Sequence, residues 1–219
     1  MPQIHQKSNK ETRARAWSFI AYPDSVPTDW EQILTERFNL QWARSPLHDS
    51  DINADETQKK PHWHIVVTFT NVKSYEQVKE ISDTINATIP QKVHNLQGLM
   101  RYFLHLDNPE KAQYDFKDIK AVGINAELEI LGQTDFNKKL KNEIFELIRG
   151  NDLFEYSELL DFLQYDHEQH FEYATTHTIL FVAYLRSRRH KAESTAKRVD
   201  RSSHSFIDSQ KETSGFSQG

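Results

Sequence analysis

The 219-residue sequence predicts an α+β fold, an antiparallel sheet with helices followed by a small all-α domain. Three observations carry this. Up to about Leu131, short β-branched and aromatic runs alternate with helical segments in the order β-α-β-β-α-β-α, which suits antiparallel neighbours in one sheet. Strand signals then stop. Beyond that point apolar residues recur only at helical spacing, and no internal repeat is visible.

The elements follow in order. Ala14 to Tyr22 alternates and then runs apolar to the turn Pro23-Asp24-Ser25, predicting a first strand. Thr28-Asp29-Trp30-Glu31 reads as a helix start continuing to about Phe38. Leu40 to Arg44 is a second strand and His62 to Thr70 a third, with the polar, hairpin-like stretch Asp49 to Lys60 between them. Ser74-Tyr75-Glu76-Gln77 is a capping box, and Val78, Ile81 and Ile85 form the stripe of the helix it opens. Gln91 to Asn95 suggests a short strand. Leu96, Leu99, Phe103 and Leu106 predict a helix packed on the sheet. In the second part, Phe136 to Ile148, Leu153 to Leu163 and Phe171 to Leu185 read as three helices, the first ending at Arg149-Gly150-Asn151. The domains expected are 1–131, a helical 132–188 and a polar, disordered tail over 189–219. So small a helical domain is expected to complete its core by self-association.

Composition narrows the chemistry. With 37% apolar and 11% aromatic residues the chain can bury a core, and with no cysteine it excludes disulfides, thiolate metal sites and cysteine nucleophiles. Any metal must be held by nitrogen and oxygen. The net charge of -5 argues against a uniformly basic nucleic-acid binder, but the charge is uneven. Residues 1–22 hold four bases and one acid, residues 125–173 four bases and twelve acids, and residues 186–201 seven bases and two acids. The last run reads as a solvated tail, with electrostatic help in DNA binding as the alternative. The polar N-terminus and the lack of a membrane-length apolar run predict a cytoplasmic protein without a membrane partner.

The most informative stretch is Pro61-His62-Trp63-His64-Ile65-Val66-Val67-Thr68-Phe69. On a strand alternate side chains share a face, so His62 and His64 point together, and the opposite apolar face of Trp63, Ile65, Val67 and Phe69 is expected to pin them outward. Two imidazoles on a rigid face make half a metal site. If the second and third strands are neighbours, Ser45-Pro46-Leu47-His48-Asp49-Ser50-Asp51 delivers His48 and an acid, Asp49 or Asp51, beside them. Three imidazoles and a carboxylate leave open positions on a divalent ion, which catalysis needs. For a nucleophile, Tyr102 lies one position from the apolar stripe of its helix with His105 one turn onward; position alone does not separate it from Tyr114. Tyrosine attack on a phosphodiester would store the bond's energy for later rejoining.

These residues carry a resemblance. Ala-Tyr-Pro-Asp-Ser-Val-Pro-Thr-Asp-Trp (21–30), Ser-Pro-Leu-His-Asp-Ser-Asp (45–51), Lys-Pro-His-Trp-His-Ile-Val-Val (60–67) and Met-Arg-Tyr-Phe-Leu-His (100–105) resemble, in order, the replication initiators of rolling-circle plasmids of the RepB type. Those belong to the HUH endonucleases, whose nicking domain has an RRM-like sheet. The resemblance implies a metal-dependent nickase and strand transferase, with His48, Asp51, His62 and His64 binding Mn2+ or Mg2+ and Tyr102 forming a 5'-phosphotyrosyl bond to DNA. It also implies plasmid origin DNA as partner, both duplex repeats and a single-stranded nick site, host replication proteins beside it, and a homo-oligomer, often a hexamer. No second tyrosine flanks Tyr102, so rejoining would use Tyr102 of another subunit or a water activated by an acid. The alternatives are a non-catalytic origin-binding or repressor protein, and another HUH enzyme such as a relaxase or transposase. A nucleotide hydrolase of the histidine-triad type would need a histidine where Val66 stands.

Overall fold

A computed structural model describes residues 13–53 and 55–213, with side chains to Lys197. The basic residues Lys7 and Lys10 and residues 214–219 lie outside it. The chain divides into two compact units, Met1–Thr134 and Asp135–Gly219.

In the first unit β1 (Arg13–Ala21) leads to α1 (Trp30–Gln32), which continues as a π-helical turn over Ile33–Arg37, and then to β2 (Gln41–Arg44). Next come β3 (Trp63–Ser74), α2 (Tyr75–Thr84), β4 (Gln91–Lys92), α3 (Leu96–Tyr102), β5 (Lys120–Val122) and α4 (Ala126–Leu131). The sheet order is β4-β1-β3-β2-β5, with every neighbouring pair antiparallel. The longest strand, β3, is therefore central. The predicted capping box is present at Ser74, whose hydroxyl accepts from the Gln77 amide while the Gln77 side chain accepts from the Ser74 amide.

Both faces of the sheet are covered. Trp17, Phe19, Ile65 and Val67 pack under Trp30 and Leu34 of the first helical segment and Val78 and Ile81 of α2. Ala43 and Val66 point the other way, under Met100 of α3, Phe103, Leu104 and Ile130 of α4. This second layer corrects the expectation that the histidine face looks outward: His48 and His62 are buried.

Two further differences from the sequence reading in this unit have local causes. The edge strand β5 is only three residues long and shows no alternation to announce it. Helix α3 stops at Tyr102 instead of Leu106 because His105 takes a left-handed φ of 56°, and Leu106 is left exposed.

The second unit holds α5 (Gln133–Gly150), α6 (Tyr156–Leu163), α7 (Glu168–Thr176) and α8 (Thr178–Thr213) around Ile144, Ile148, Leu159, Leu163, Phe181 and Leu185. The single helix expected over Phe171–Leu185 is broken at His177, where Thr175, Thr176 and Thr178 turn their hydroxyls back onto main-chain carbonyls and compete with the helical ladder. Helix α8 then carries the backbone through the stretch whose polar composition reads as disordered. Among the described residues no helix is long and apolar enough to cross a membrane.

Candidate active site

His62 enters β3 one residue before Trp63 and pairs across the sheet with His48: the His48 amide donates to the His62 carbonyl (2.9 Å) and the reverse bond is 3.3 Å. The pairing has an irregularity that decides the site. In β2, Ala43 sits opposite Val66, and further along His48 sits opposite His62, so five residue steps on one strand oppose four on the other. Without that extra residue, side-chain alternation would send His48 to the Trp42 face, away from His62 and His64. Pro46, which has no N–H for the ladder, lies inside the bulge. Ser45, fully buried beside it, accepts a hydrogen bond from the His64 amide at 3.0 Å and so fixes β3 at the site.

The ring nitrogens are sorted by carbonyls. His48 Nε2–H donates to the Phe103 carbonyl (2.9 Å) and His62 Nδ1–H to the Lys60 carbonyl (2.8 Å). Each bond fixes a tautomer and leaves the other nitrogen with a bare lone pair, as outer partners of metal-bound histidines do. His105 is held the same way, through Nδ1–H to the Ala112 carbonyl at 2.7 Å. His48 Nδ1, His64 Nε2 and His105 Nε2 are buried without a hydrogen-bond partner. Leaving such a group bare costs about 1–3 kcal/mol.

Ligand atoms of His48, His62 and His64 lie within 4.8 Å of one another, as do those of His48, Asp51 and His105. His48 is common to both groups: His62 and His64 gather with it on one side, and Asp51 stands with His105 on the other. Asp51 is 4% exposed; its Oδ2 stands 3.7 Å from His48 Nδ1 and its Oδ1 3.8 Å from His105 Nδ1. Asp49, the other acid open by spacing, is exposed and bonded to Ser50. Burial, reinforced by the neighbouring imidazoles, pushes His48 down to about 4 and His64 to about 3, so both are neutral lone-pair donors at neutral pH. Imidazole nitrogens gathered around His48, whose bare Nδ1 faces a carboxylate, with no sulfur, fit a divalent cation.

The two tyrosines separate clearly. Tyr102, the last residue of α3, is half-buried with its ring 5.2 Å from that of His64 and 6.5 Å from that of His48. Its hydroxyl accepts from Lys111 Nζ at 3.1 Å. Tyr114 stacks on His48 (4.3 Å between centroids), donates to Asp51 at 3.1 Å and is pushed up to about 12, chiefly by burial. Its phenol is committed to holding the carboxylate. Sequence reasoning missed His105 as a candidate ligand and Lys111 altogether, because both belong to an irregular segment whose path no periodicity reports.

Comparison with known proteins identifies the family. Residues 9–129 match the origin-binding domain of plasmid replication proteins, and residues 137–190 the C-terminal domain of replication protein RepB. A replication protein of Staphylococcus aureus is 34% identical over 85% of this chain and 95% of its own length. A replication protein RepB of Lactiplantibacillus plantarum is 32% identical over 87% and 88%, and one of Streptococcus agalactiae 30% over 69% and 77%. The chain belongs to the RepB-type plasmid replication initiators, its sheet unit being their origin-binding domain.

Proposed function

We propose that this initiator nicks one strand of its plasmid origin through Tyr102 and later rejoins it, as a metal-dependent endonuclease and strand transferase. The observation that carries the reading is the Tyr102 ring lying against His64, at the rim of a cluster in which the bare Nδ1 of His48 faces the Asp51 carboxylate and His48 also gathers with His62 and His64. His48, Asp51, His62 and His64 would hold Mn2+ or Mg2+. When bound, the ion supplies Lewis-acid polarisation of the scissile phosphate.

The chain's own residues do the rest. Tyr102 loses its phenol proton to solvent water as Oη bonds to phosphorus, the bond from phosphorus to the 3' oxygen breaks, and the 3' oxygen takes up a proton to leave as a hydroxyl that can prime synthesis. The 5'-phosphotyrosyl ester keeps the bond energy for rejoining. His105 and Ala112 tie the segment after α3 back against the site, and Tyr114 orients Asp51. With one tyrosine per site, termination calls on Tyr102 of a second subunit or on water. The helical unit is assigned to oligomerisation, as a ring of six.

The test is covalent capture. A single-stranded oligonucleotide spanning the nick site, labelled at its 3' end, is incubated with protein and Mn2+ and resolved on a denaturing gel, and the adduct is mapped to a peptide. Tyr102→Phe should lose adduct by about a thousandfold or more, because an oriented nucleophile is removed. Tyr114→Phe keeps the stacking and should stay within about tenfold, the scale of one lost hydrogen bond. An adduct persisting in Tyr102→Phe or mapping to Tyr114 refutes the nucleophile. Full activity in excess chelator refutes the metal.

A further inference from the structure

Lys111 lies nine residues beyond Tyr102, on an irregular segment, yet its ammonium returns to the phenol. Nζ is 3.1 Å from Tyr102 Oη and 4.6 Å from the ring centroid, so it meets both the oxygen and the π face. Among the described residues it has no carboxylate partner. The acids near it in sequence are engaged elsewhere: Asp107 makes two hydrogen bonds to Arg101 (2.8 and 2.6 Å), and Glu110 accepts from Asn108. An unpaired lysine is ordinarily left to water, so a cation directed at the hydroxyl calls for a reason.

The backbone holds it there. The Lys111 amide donates to the Asn108 carbonyl at 3.0 Å, and the Gln113 side-chain amide donates to the carbonyls of His105, Asn108 and Lys111. The next residue, Ala112, accepts from His105 Nδ1. Lys111 is thus fastened on both sides to the same turn that ends α3, a preorganised donor and not a wandering surface chain.

We propose that Lys111 is a further catalytic residue, its ammonium holding and stabilising the Tyr102 oxygen as it bonds to phosphorus and again when it is released in rejoining. The inference rests on the reading of Tyr102 as nucleophile. In the forward step the phenol proton goes to solvent water, the P–Oη bond forms and the P–O3' bond breaks, while Lys111 keeps its three protons. In rejoining the 3' hydroxyl loses its proton to solvent water as its oxygen bonds to phosphorus, the P–Oη bond breaks, and the negative charge returns to an oxygen already facing a fixed cation before water reprotonates the phenol.

The experiment uses the full chain in Mn2+ and the 3'-labelled oligonucleotide spanning the mapped nick site, with adduct formation followed in single turnover at saturating DNA. Lys111→Met and Lys111→Gln should each slow the saturated rate by on the order of 100-fold, the usual effect of deleting one oriented donor. Lys111→Arg should recover to within about tenfold of the native rate, since it restores a cation in a different shape. Oligonucleotide affinity by fluorescence anisotropy should change by no more than about threefold, as for loss of one backbone charge. An oligonucleotide with sulfur replacing the scissile 3' oxygen should not rescue the neutral variants, because the defect lies on the attacking side.

Native rates in both neutral variants overturn the proposal. So does a defect that vanishes at saturating DNA, which makes Lys111 a phosphate contact, or one cured by the sulfur leaving group. Tyr102→Phe runs in parallel: an adduct in that variant means the nucleophile reading itself has failed, whereas its silence beside fully active Lys111→Met removes Lys111 alone.

Discussion

Three imidazoles crowd around His48: the rings of His62, His64 and His105 lie 5.5, 4.9 and 4.6 Å from its own. Burial among these neighbours disfavours a charge on His48 and on His64, and this gives the cluster a signature in acid. The folded protein binds protons at His48 only near pH 4 and at His64 only near pH 3, while the unfolded chain takes them up near 6.5. The stabilisation from these neutral rings is therefore complete above 6.5 and is lost as pH falls toward the folded values. We expect the chelated protein to lose on the order of 1 to 2 kcal/mol per histidine between pH 6.5 and 5, read from urea midpoints, and His64→Ala to flatten that slope. A stability unchanged from pH 7 to 5 would contradict the burial of these rings. At this scale strand parity was enough to put His62 and His64 on one face, and the segment after the second strand offered His48 with Asp49 or Asp51, the choice of Asp51 coming from the resemblance and not from spacing. Lys111 was not, since its contact with Tyr102 depends on how the chain turns after α3.

Elements were legible where a capping signal and an apolar period agree. Ser74 and Gln77 announce α2, Val78, Ile81 and Ile85 mark its buried face, and the structure has all of these. The cap can be weighed: Ser74→Ala removes the acceptor for the Gln77 amide at an exposed helix start and should cost about 1 kcal/mol, or a few degrees in melting temperature for a domain of this size. A melting temperature unmoved within a degree would mean that packing alone fixes the start of α2. The elements misread are those where tertiary bonds override a continuing pattern. Helix α3 has the spacing to reach Leu106, but the Phe103 carbonyl is taken by His48 and His105 bends to meet Ala112. The bulge between Arg44 and His48 is invisible to a two-residue period, although Pro46 marks its place. Each of these breaks lies at the candidate site, the place where local regularity is expected to yield.

For the whole molecule, the two units own separate cores: the sheet unit has one on each face, and the helical unit closes around Ile144, Leu159 and Phe181. The division of the chain into sheet and helix was legible because strand signals end abruptly; the path of the polar C-terminal stretch was not, since composition reports the lack of a core and not the lack of a helix. On α8, Ile179, Leu180 and Val182 are exposed, Ile179 at 87%, and Ile179, Val182 and Ala183 line a groove with Arg186 and His190. Exposed aliphatic groups gathered on one helix fit the proposed oligomerisation of the helical unit. Cutting the chain after Leu131 removes that surface and leaves both sheet cores whole, so the fragment should be a folded monomer by light scattering. It should still form the covalent adduct with the single-stranded oligonucleotide, because every residue of the site lies before the cut. Its affinity for duplex origin repeats should fall by about 100-fold, since linked subunits bind neighbouring repeats at high effective concentration and a lone domain does not. A fragment with the same mass multiple as the intact protein would move the subunit interface into the sheet unit, and an unchanged duplex affinity would mean that one domain suffices to read the origin.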